Sequence, residues 1–271
     1  MQPYYEQSGV TIYHGDCREV LSGALAGQMV DHIIMDPPYS AHTHDKQWIG
    51  AALTDDGKPR VATAHKSLGF DPLSAALRGF LCVDAEKRCR RWFLAFSDVE
   101  SVFEWRRSIL TSGLDYVRAC MWDKVDGAPQ FTGDRPAAGS EAIVCAHPKG
   151  KKAWNSGGKR GVYRHAVNGE RGAKPHPSTK PEPLMVELIA DFTSPGDLIL
   201  DPFGGSGTTA VAAKRLGRRC ILIEQQEKYC EIAARRLQQE SLFVAEARDE
   251  GDLPLLDMMD QLVGASTSKA N

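Results

Sequence analysis

The chain has 271 residues, 42% of them hydrophobic and 25% charged, an ordinary globular composition that excludes a mostly disordered, collagen-like or coiled-coil protein. Its apolar runs are broken by charge far short of the ~20 residues a membrane helix needs, and Met1 to Gln7 lacks the basic-then-apolar pattern of a secretory signal. A soluble, cytoplasmic protein without a membrane partner is expected. Charge is unevenly spread: of 33 Lys/Arg and 35 Asp/Glu, nine bases but only one acid, Glu170, fall between His147 and Lys180, leaving 24 bases and 34 acids elsewhere. Such a basic segment on an acidic body suits a polyanion.

In chain order, β-rich runs predict strands at about 9–14, 31–36, 90–96, 115–122, 140–146, 197–201 and 219–224. Helical patterns lie between several of them. Val99, Val102, Phe103, Arg106, Ile109 and Leu110 mark a mostly apolar stripe closed by Gly113. Leu184, Met185, Leu188, Ile189 and Phe192 mark a second, introduced by Pro181 and Pro183 and ended by Ser194-Pro195-Gly196. A third helix is expected from Gly207 to Leu216 and a fourth from Gln226 to about Leu242. Strands alternating with helices predict a doubly wound, mostly parallel α/β sheet. Residues 40–74 and 125–180 interrupt the rhythm as long loops, which in a compact domain are usually functional or mobile. The apolar patch Leu253 to Val263 is followed by a polar tail expected to be disordered.

The glycine-rich stretch Asp201 to Thr209 follows a strand and opens a helix. Its glycines let backbone approach a ligand, and the helix start offers free N–H groups. Gly205 to Ala210 fits G-x-G-x-x-A, and Glu224 lies at the end of the next strand, where an acid holds a ribose hydroxyl. A nucleoside-containing cofactor is expected. Only 47 residues remain after Glu224, too few to complete a dinucleotide-binding sheet, so earlier strands must complete it. Those strands carry a second motif, Asp36-Pro37-Pro38-Tyr39. Its prolines fix a backbone whose carbonyls point outward beside a carboxylate and an aromatic ring, a corner able to accept both hydrogens of an amine and to stack a flat base.

With Tyr13-His14-Gly15-Asp16-Cys17 and His176-Pro177-Ser178-Thr179-Lys180-Pro181, these motifs resemble the S-adenosylmethionine-dependent DNA amino-methyltransferases, in the β group whose Asp-Pro-Pro-Tyr motif precedes the glycine-rich one. The resemblance spans roughly residues 9–242. It implies a seven-stranded class I methyltransferase sheet with a small basic target-recognition insertion. The implied layout is a catalytic half over residues 1–124 with a mobile loop at 40–74, a last catalytic strand and recognition segment over 125–175, a cofactor half over 176–242 and a C-terminal extension over 243–271.

The resemblance also implies roles. Asp201, Pro202, Phe203, Gly204, Gly205, Ser206, Gly207, Thr208 and Thr209 wrap S-adenosylmethionine. Glu224, followed by Gln225, meets its ribose, and Asp16 and Cys17 its adenine. Lys180 with Ser178 and Thr179 meets its carboxylate. Asp36, which also borders the cofactor, and the Pro37 carbonyl accept the two N–H bonds of the target amine, Pro38 stiffens the corner, and Tyr39 stacks on the base. Asp at the first position of the tetrapeptide favours adenine N6 over cytosine N4.

Lys151, Lys152, Lys159, Arg160, Arg164 and Arg171 are the candidate contacts to double-stranded DNA, with Trp154 and Tyr163 interleaved for stacking or packing. A nucleoid-associated homodimer is expected, and no residue indicates a companion restriction endonuclease. Seven cysteines without a Cys-x-x-Cys suggest neither a disulfide framework nor a zinc cluster, and Cys17 reads as a buried small residue and not a nucleophile. His42, His44, Asp45 and His65 have metal-ligand spacing without a completing cluster, so no metal is expected. The competing readings are a nicotinamide-dependent oxidoreductase and a catalytically silent DNA-binding protein.

Overall fold

The structure, a computed structural model, describes residues 1–40, 71–127, 134, 136–167 and 179–249, the last nine as helical backbone only. The chain separates into two compact units.

The first unit comprises Met1–Ala26, Ala153–Lys159 and His165–Asn271. It contains strands β1 (Tyr5–Gln7), β2 (Val10–His14), β8 (Leu198–Asp201) and β9 (Arg219–Glu224), and helices α1 (Cys17–Ser22), α4 (Glu182–Phe192), α5 (Thr208–Arg215) and α6 (Glu227–Asp249). The strands lie in the order β1-β2-β9-β8. β1 and β2 form a hairpin through Ser8-Gly9, both at positive φ, the two-residue turn whose twist matches antiparallel strands. β2 then runs parallel to β9, with Val10 opposite Cys220 and His14 opposite Glu224, and β9 runs parallel to β8. Leu184, Met185, Leu188, Ile189 and Phe192 of α4 are all buried, as their spacing predicts.

The second unit comprises Gly27–Lys152 and Arg160–Arg164. Its strands β3 (His32–Met35), β4 (Phe93–Ser97), β5 (Asp115–Asp123), β6 (Ser140–His147) and β7 (Val162–Arg164) are joined by α2 (Ala75–Arg88) and α3 (Val102–Ser112). The order is β3-β4-β6-β5-β7. β6 is antiparallel to both β4 and β5, while β3 is parallel to β4 and β5 to β7.

All seven expected strands are present. The expectation of seven is nevertheless corrected to nine among the described residues, because the three-residue strands β1 and β7 are too short to show a period of two. Helices α1 and α2 are also additional. α2 starts where the first long loop was expected to end, with Ser74 capping Leu77 N–H. Met1–Ala26 falls in the same compact unit as the glycine-rich motif.

On α3 the expected stripe is wrong in part. Val99 precedes the helix and is 46% exposed, and Phe103 and Leu110 are 65% and 52% exposed. Trp105 and Ile109, four residues apart, are the buried pair, with Trp105 packed on Phe93 at 6.0 Å between ring centroids. The indole outcompetes the smaller side chains because it removes the most apolar area from water. Gly113 ends the helix at a φ of 99° as expected.

His147 closes β6 in the core. Its ring meets Trp92 edge-on at 4.9 Å, its Nδ1 bonds the Pro148 carbonyl at 2.6 Å, and its Nε2 is buried with no hydrogen-bond partner among the described residues. Burial, with Lys152 and Arg91 against Asp115 and the Pro148 carbonyl, holds its pKa below the ordinary imidazole value. The unfolded chain therefore takes up the proton first, so this contribution to stability is present above about pH 6.5 and lost as pH falls. Thermal melts between about pH 7.5 and 5.5 should show a falling midpoint, and His147→Phe should flatten that slope.

Candidate active site

In the first unit the glycine-rich motif leaves β8 at Asp201. This carboxylate is buried and shapes the loop: Oδ1 accepts from Phe203 N–H at 2.9 Å and Oδ2 from the Thr209 hydroxyl at 2.6 Å. The loop is tied to β9 by Gly204 N–H on the Ile223 carbonyl. Gly207 turns the chain into α5 at a φ of +84°, and a Cβ there would lie 2.7 Å from Ala233 Cβ, so both conformation and space demand glycine. Gly205, at +49°, has nothing closer to such a Cβ than the Phe203 carbonyl oxygen at 4.0 Å. Its open side leaves room for a ligand.

Glu224 ends β9. Oε2 accepts from Gly205 N–H at 2.9 Å and Oε1 from Gln226 N–H at 2.7 Å. Burial raises its pKa, opposed by the N–H groups of Gln226, Gly205 and Gln225. A carboxylate has about four acceptor positions, so capacity remains for a diol. The β2–β9 register brings Gly15 N–H onto the Glu224 carbonyl at 2.9 Å, so Asp16 and Cys17 follow directly on the residue that meets the end of β9. Asp16 caps α1 through Arg18 N–H at 2.8 Å and pairs with the Arg18 guanidinium at 2.6 Å, which holds its carboxyl below the usual range. The Cys17 thiol is buried and pushed up to about 11, the opposite of an activated nucleophile.

Thr179 Oγ1 lies 3.2 Å from Ser206 Oγ, so the Thr179-Lys180 segment meets the glycine loop. Ser178 lies outside the described residues. Arg236 of α6, which no motif marks, donates to the Ser206 carbonyl at 2.7 Å, to Thr208 Oγ1 at 3.1 Å and to Glu182 at 3.2 Å. Only the fold brings this brace to the loop.

In the second unit Asp36 to Tyr39 leaves the end of β3, with Pro37 buried and Asp36, Pro38 and Tyr39 half-buried. The buried carboxylate of Asp98 grips the next residue, accepting from Ser40 N–H at 3.1 Å and Ser40 Oγ at 2.7 Å, while its other oxygen accepts from Ser101 N–H at 2.8 Å. Leu73 N–H closes on the Tyr39 carbonyl at 3.1 Å. The Tyr39 hydroxyl donates to Glu141 Oε2 at 2.5 Å. Burial and the charges of Asp36 and Glu141 raise its pKa well above the usual phenol value, keeping it a donor. Neither Asp98 nor Glu141 was marked by a motif.

The basic segment divides. Lys151 and Arg160 are exposed and have no ion-pair partner among the described residues. Lys152 pairs with Asp115 at 3.2 Å and Arg164 with Asp123 at 3.0 Å. Lys159 lies 2.7 Å from Glu187 and 2.5 Å from Asp191, a half-buried anchor on α4 that competes with a phosphate contact. Tyr163 is fully buried, and Trp154 packs edge-on against Phe192 at 4.8 Å, so both serve packing. Arg171, the 42–65 histidine and aspartate group and the 253–263 patch lie outside the described residues. Most of the loop expected at 40–74 does too.

The sequence pattern of the family described as DNA methylase matches residues 79–235. Type II methyltransferase M.HinfI of Haemophilus influenzae is 28% identical over 84% of this chain and 68% of its own length. Type II methyltransferase M2.DpnII of Streptococcus pneumoniae is 28% identical over 89% and 94%. Among solved structures, an M1.HpyAVI–SAM complex superposes with a TM-score of 0.65 at 24% identity, covering 84% of this chain and 98% of that one. The PvuII DNA methyltransferase, titled cytosine-N4-specific, gives 0.65 at 18% identity over 87% and 88%. Both likenesses support the class I methyltransferase fold.

Proposed function

This chain belongs to the DNA methylase family, and from that premise we propose that it methylates the N6 amine of a flipped-out adenine at a short specific site in double-stranded DNA. The methyl donor is S-adenosylmethionine, which when bound supplies an electrophilic methyl on a sulfonium. The observation that carries the reading is the Asp36-Pro37-Pro38-Tyr39 corner at the end of β3, in a chain whose glycine loop is tied to the acid Glu224.

An exocyclic amine is a poor nucleophile because its lone pair is delocalised into the ring. The Asp36 carboxylate and the Pro37 carbonyl each accept one of its N–H bonds and favour a pyramidal nitrogen. Holding that nitrogen in line for transfer supplies much of the remaining acceleration. Tyr39 stacks on the base and offsets part of the few kcal/mol that unstacking costs. On the donor side, Glu224 with Gln225 holds the ribose, Asp16 and Cys17 border the adenine, and Lys180, Thr179 and Ser178 hold the carboxylate. The loop Asp201 to Thr209 wraps it. The fold is shared with a cytosine-N4 enzyme and leaves the base open, so Asp36 is what favours adenine. The Type II names of the relatives support a setting beside a restriction endonuclease, in the cytoplasm on nucleoid DNA. No described helix is long and apolar enough to cross a membrane.

Incubation with labelled S-adenosylmethionine and unmethylated plasmid, followed by nucleoside analysis, should yield N6-methyladenine, and Asp36→Ala should abolish transfer. Recovery of N4-methylcytosine instead would overturn the choice of base.

The exposed Lys151 and Arg160 contact phosphates on this reading. Replacing both with alanine should weaken DNA binding and lower the slope of log K against log salt by roughly 2, with cofactor affinity intact. Loss of cofactor affinity as well would signal misfolding.

The exposed apolar side chains Val99, Phe103 and Leu110 of the second unit support self-association. Light scattering should give twice the 29.7 kDa chain mass. A monomer with and without DNA would exclude the dimer.

A further inference from the structure

We propose that Glu141, held in place by Lys124, is a positioning residue for Tyr39 that fixes the tyrosine ring in the plane in which it stacks on the flipped base. The inference rests on the reading of Tyr39 as the stacking partner and adds the device that orients it.

Pro37 and Pro38 stiffen the backbone of the corner, but they leave both side-chain torsions of Tyr39 free. A ring attached only at Cβ sweeps through a cone, and stacking rewards one plane. The hydroxyl, at the far end of the ring, is caught by Glu141 Oε2 at 2.5 Å and also lies in hydrogen-bond reach of the Asp36 carboxylate. With both ends held, the two torsions are set. This is an O–H donor on an ionised acceptor, the short and strong class of hydrogen bond.

The acceptor is itself anchored. Glu141 Oε1 lies 2.6 Å from Lys124 Nζ, and the two side chains are only 13% and 18% exposed, so each charge needs the other in this shielded setting. Lys124 Nζ also lies 5.1 Å from the centroid of the Trp122 ring, a cation–π contact. Trp122 is the cross-strand neighbour of Glu141, and Lys124 N–H extends the ladder onto the Gly139 carbonyl. Thus the end of β5 and the start of β6 present one carboxylate to the Tyr39 hydroxyl of the corner that leaves β3. A phenylalanine at position 39 would keep the stacking area and lose the anchor.

The test compares wild type, Tyr39→Phe, Glu141→Ala, Glu141→Gln and the Tyr39→Phe/Glu141→Ala double variant. Full-length protein is bound to S-adenosylhomocysteine and a duplex with 2-aminopurine at the mapped target position. Each of Tyr39→Phe and Glu141→Ala should lower kcat about tenfold, the worth of one hydrogen bond to a charged group, with S-adenosylhomocysteine affinity unchanged. The flipped 2-aminopurine should be less quenched in both. The double variant should be no worse than Glu141→Ala alone, and Glu141→Gln, whose single amide oxygen can still accept from Tyr39 but no longer offsets the Lys124 charge, should recover part of the loss. Wild-type kcat and emission in Tyr39→Phe, or losses that multiply in the double variant, would overturn the inference. Methyl transfer by wild type to adenine is the control for the underlying reading. An inert wild type sinks that reading and this inference together, whereas defects confined to the variants speak to the anchor alone.

Discussion

The parallel register that sets His14 opposite Glu224 is the constraint on which the first unit depends. Through it a strand from the start of the chain and one from near residue 220 end side by side, and the Gly15 N–H reaches the Glu224 carbonyl. A slip of one residue would reverse every side chain of β2 and carry Val10 and Ile12 out of the core. It would also break the bond from Gly15 N–H, the residue before Asp16, to the Glu224 carbonyl. Ligands in open α/β sheets bind at the carboxyl ends of parallel strands, and here β2, β8 and β9 all deliver their motif residues from that end.

Around this register, carboxylates serve as scaffolding. Asp201 spends one oxygen on Phe203 N–H and the other on Thr209, and Glu224 holds Gly205 and Gln226. In the second unit Asp98 grips Ser40 and Ser101, while Glu141 grips Tyr39. The common physics is that an acceptor with two oxygens can tie two donors from different segments, and in a shielded place such bonds are strong and costly to leave unmade. The loops that present the motifs are therefore held without long secondary structure of their own.

The basic segment shows the limit of counting charges. Nine bases against one acid describe the chain locally, yet Lys152, Lys159 and Arg164 meet acids contributed by β5 and α4. The segment's field is thus partly neutralised. Lys151 and Arg160 remain as exposed cations within it, and the aromatic pair once open to stacking or packing is used for packing.

What the sequence determined by itself is what neighbouring residues encode. Seven strands, the α4 face, the glycine turn into α5 and the proline corner were all legible, because backbone angles at Gly and Pro and the periods of strand and helix are local properties. The family resemblance rested on the same local motifs. The strands β1 and β7 were too short to show a period, and on α3 two apolar faces were available, of which contact with Phe93 selected the one bearing Trp105. Only the tertiary structure decided which charged groups are partnered. Tyr39 and Glu141 are 102 residues apart, Ser40 and Asp98 are 58 apart, and Arg236 reaches Ser206 across 30. A carboxylate's identity says that it can accept a hydrogen bond. Which donor it meets follows from strand order and register, which no single segment contains.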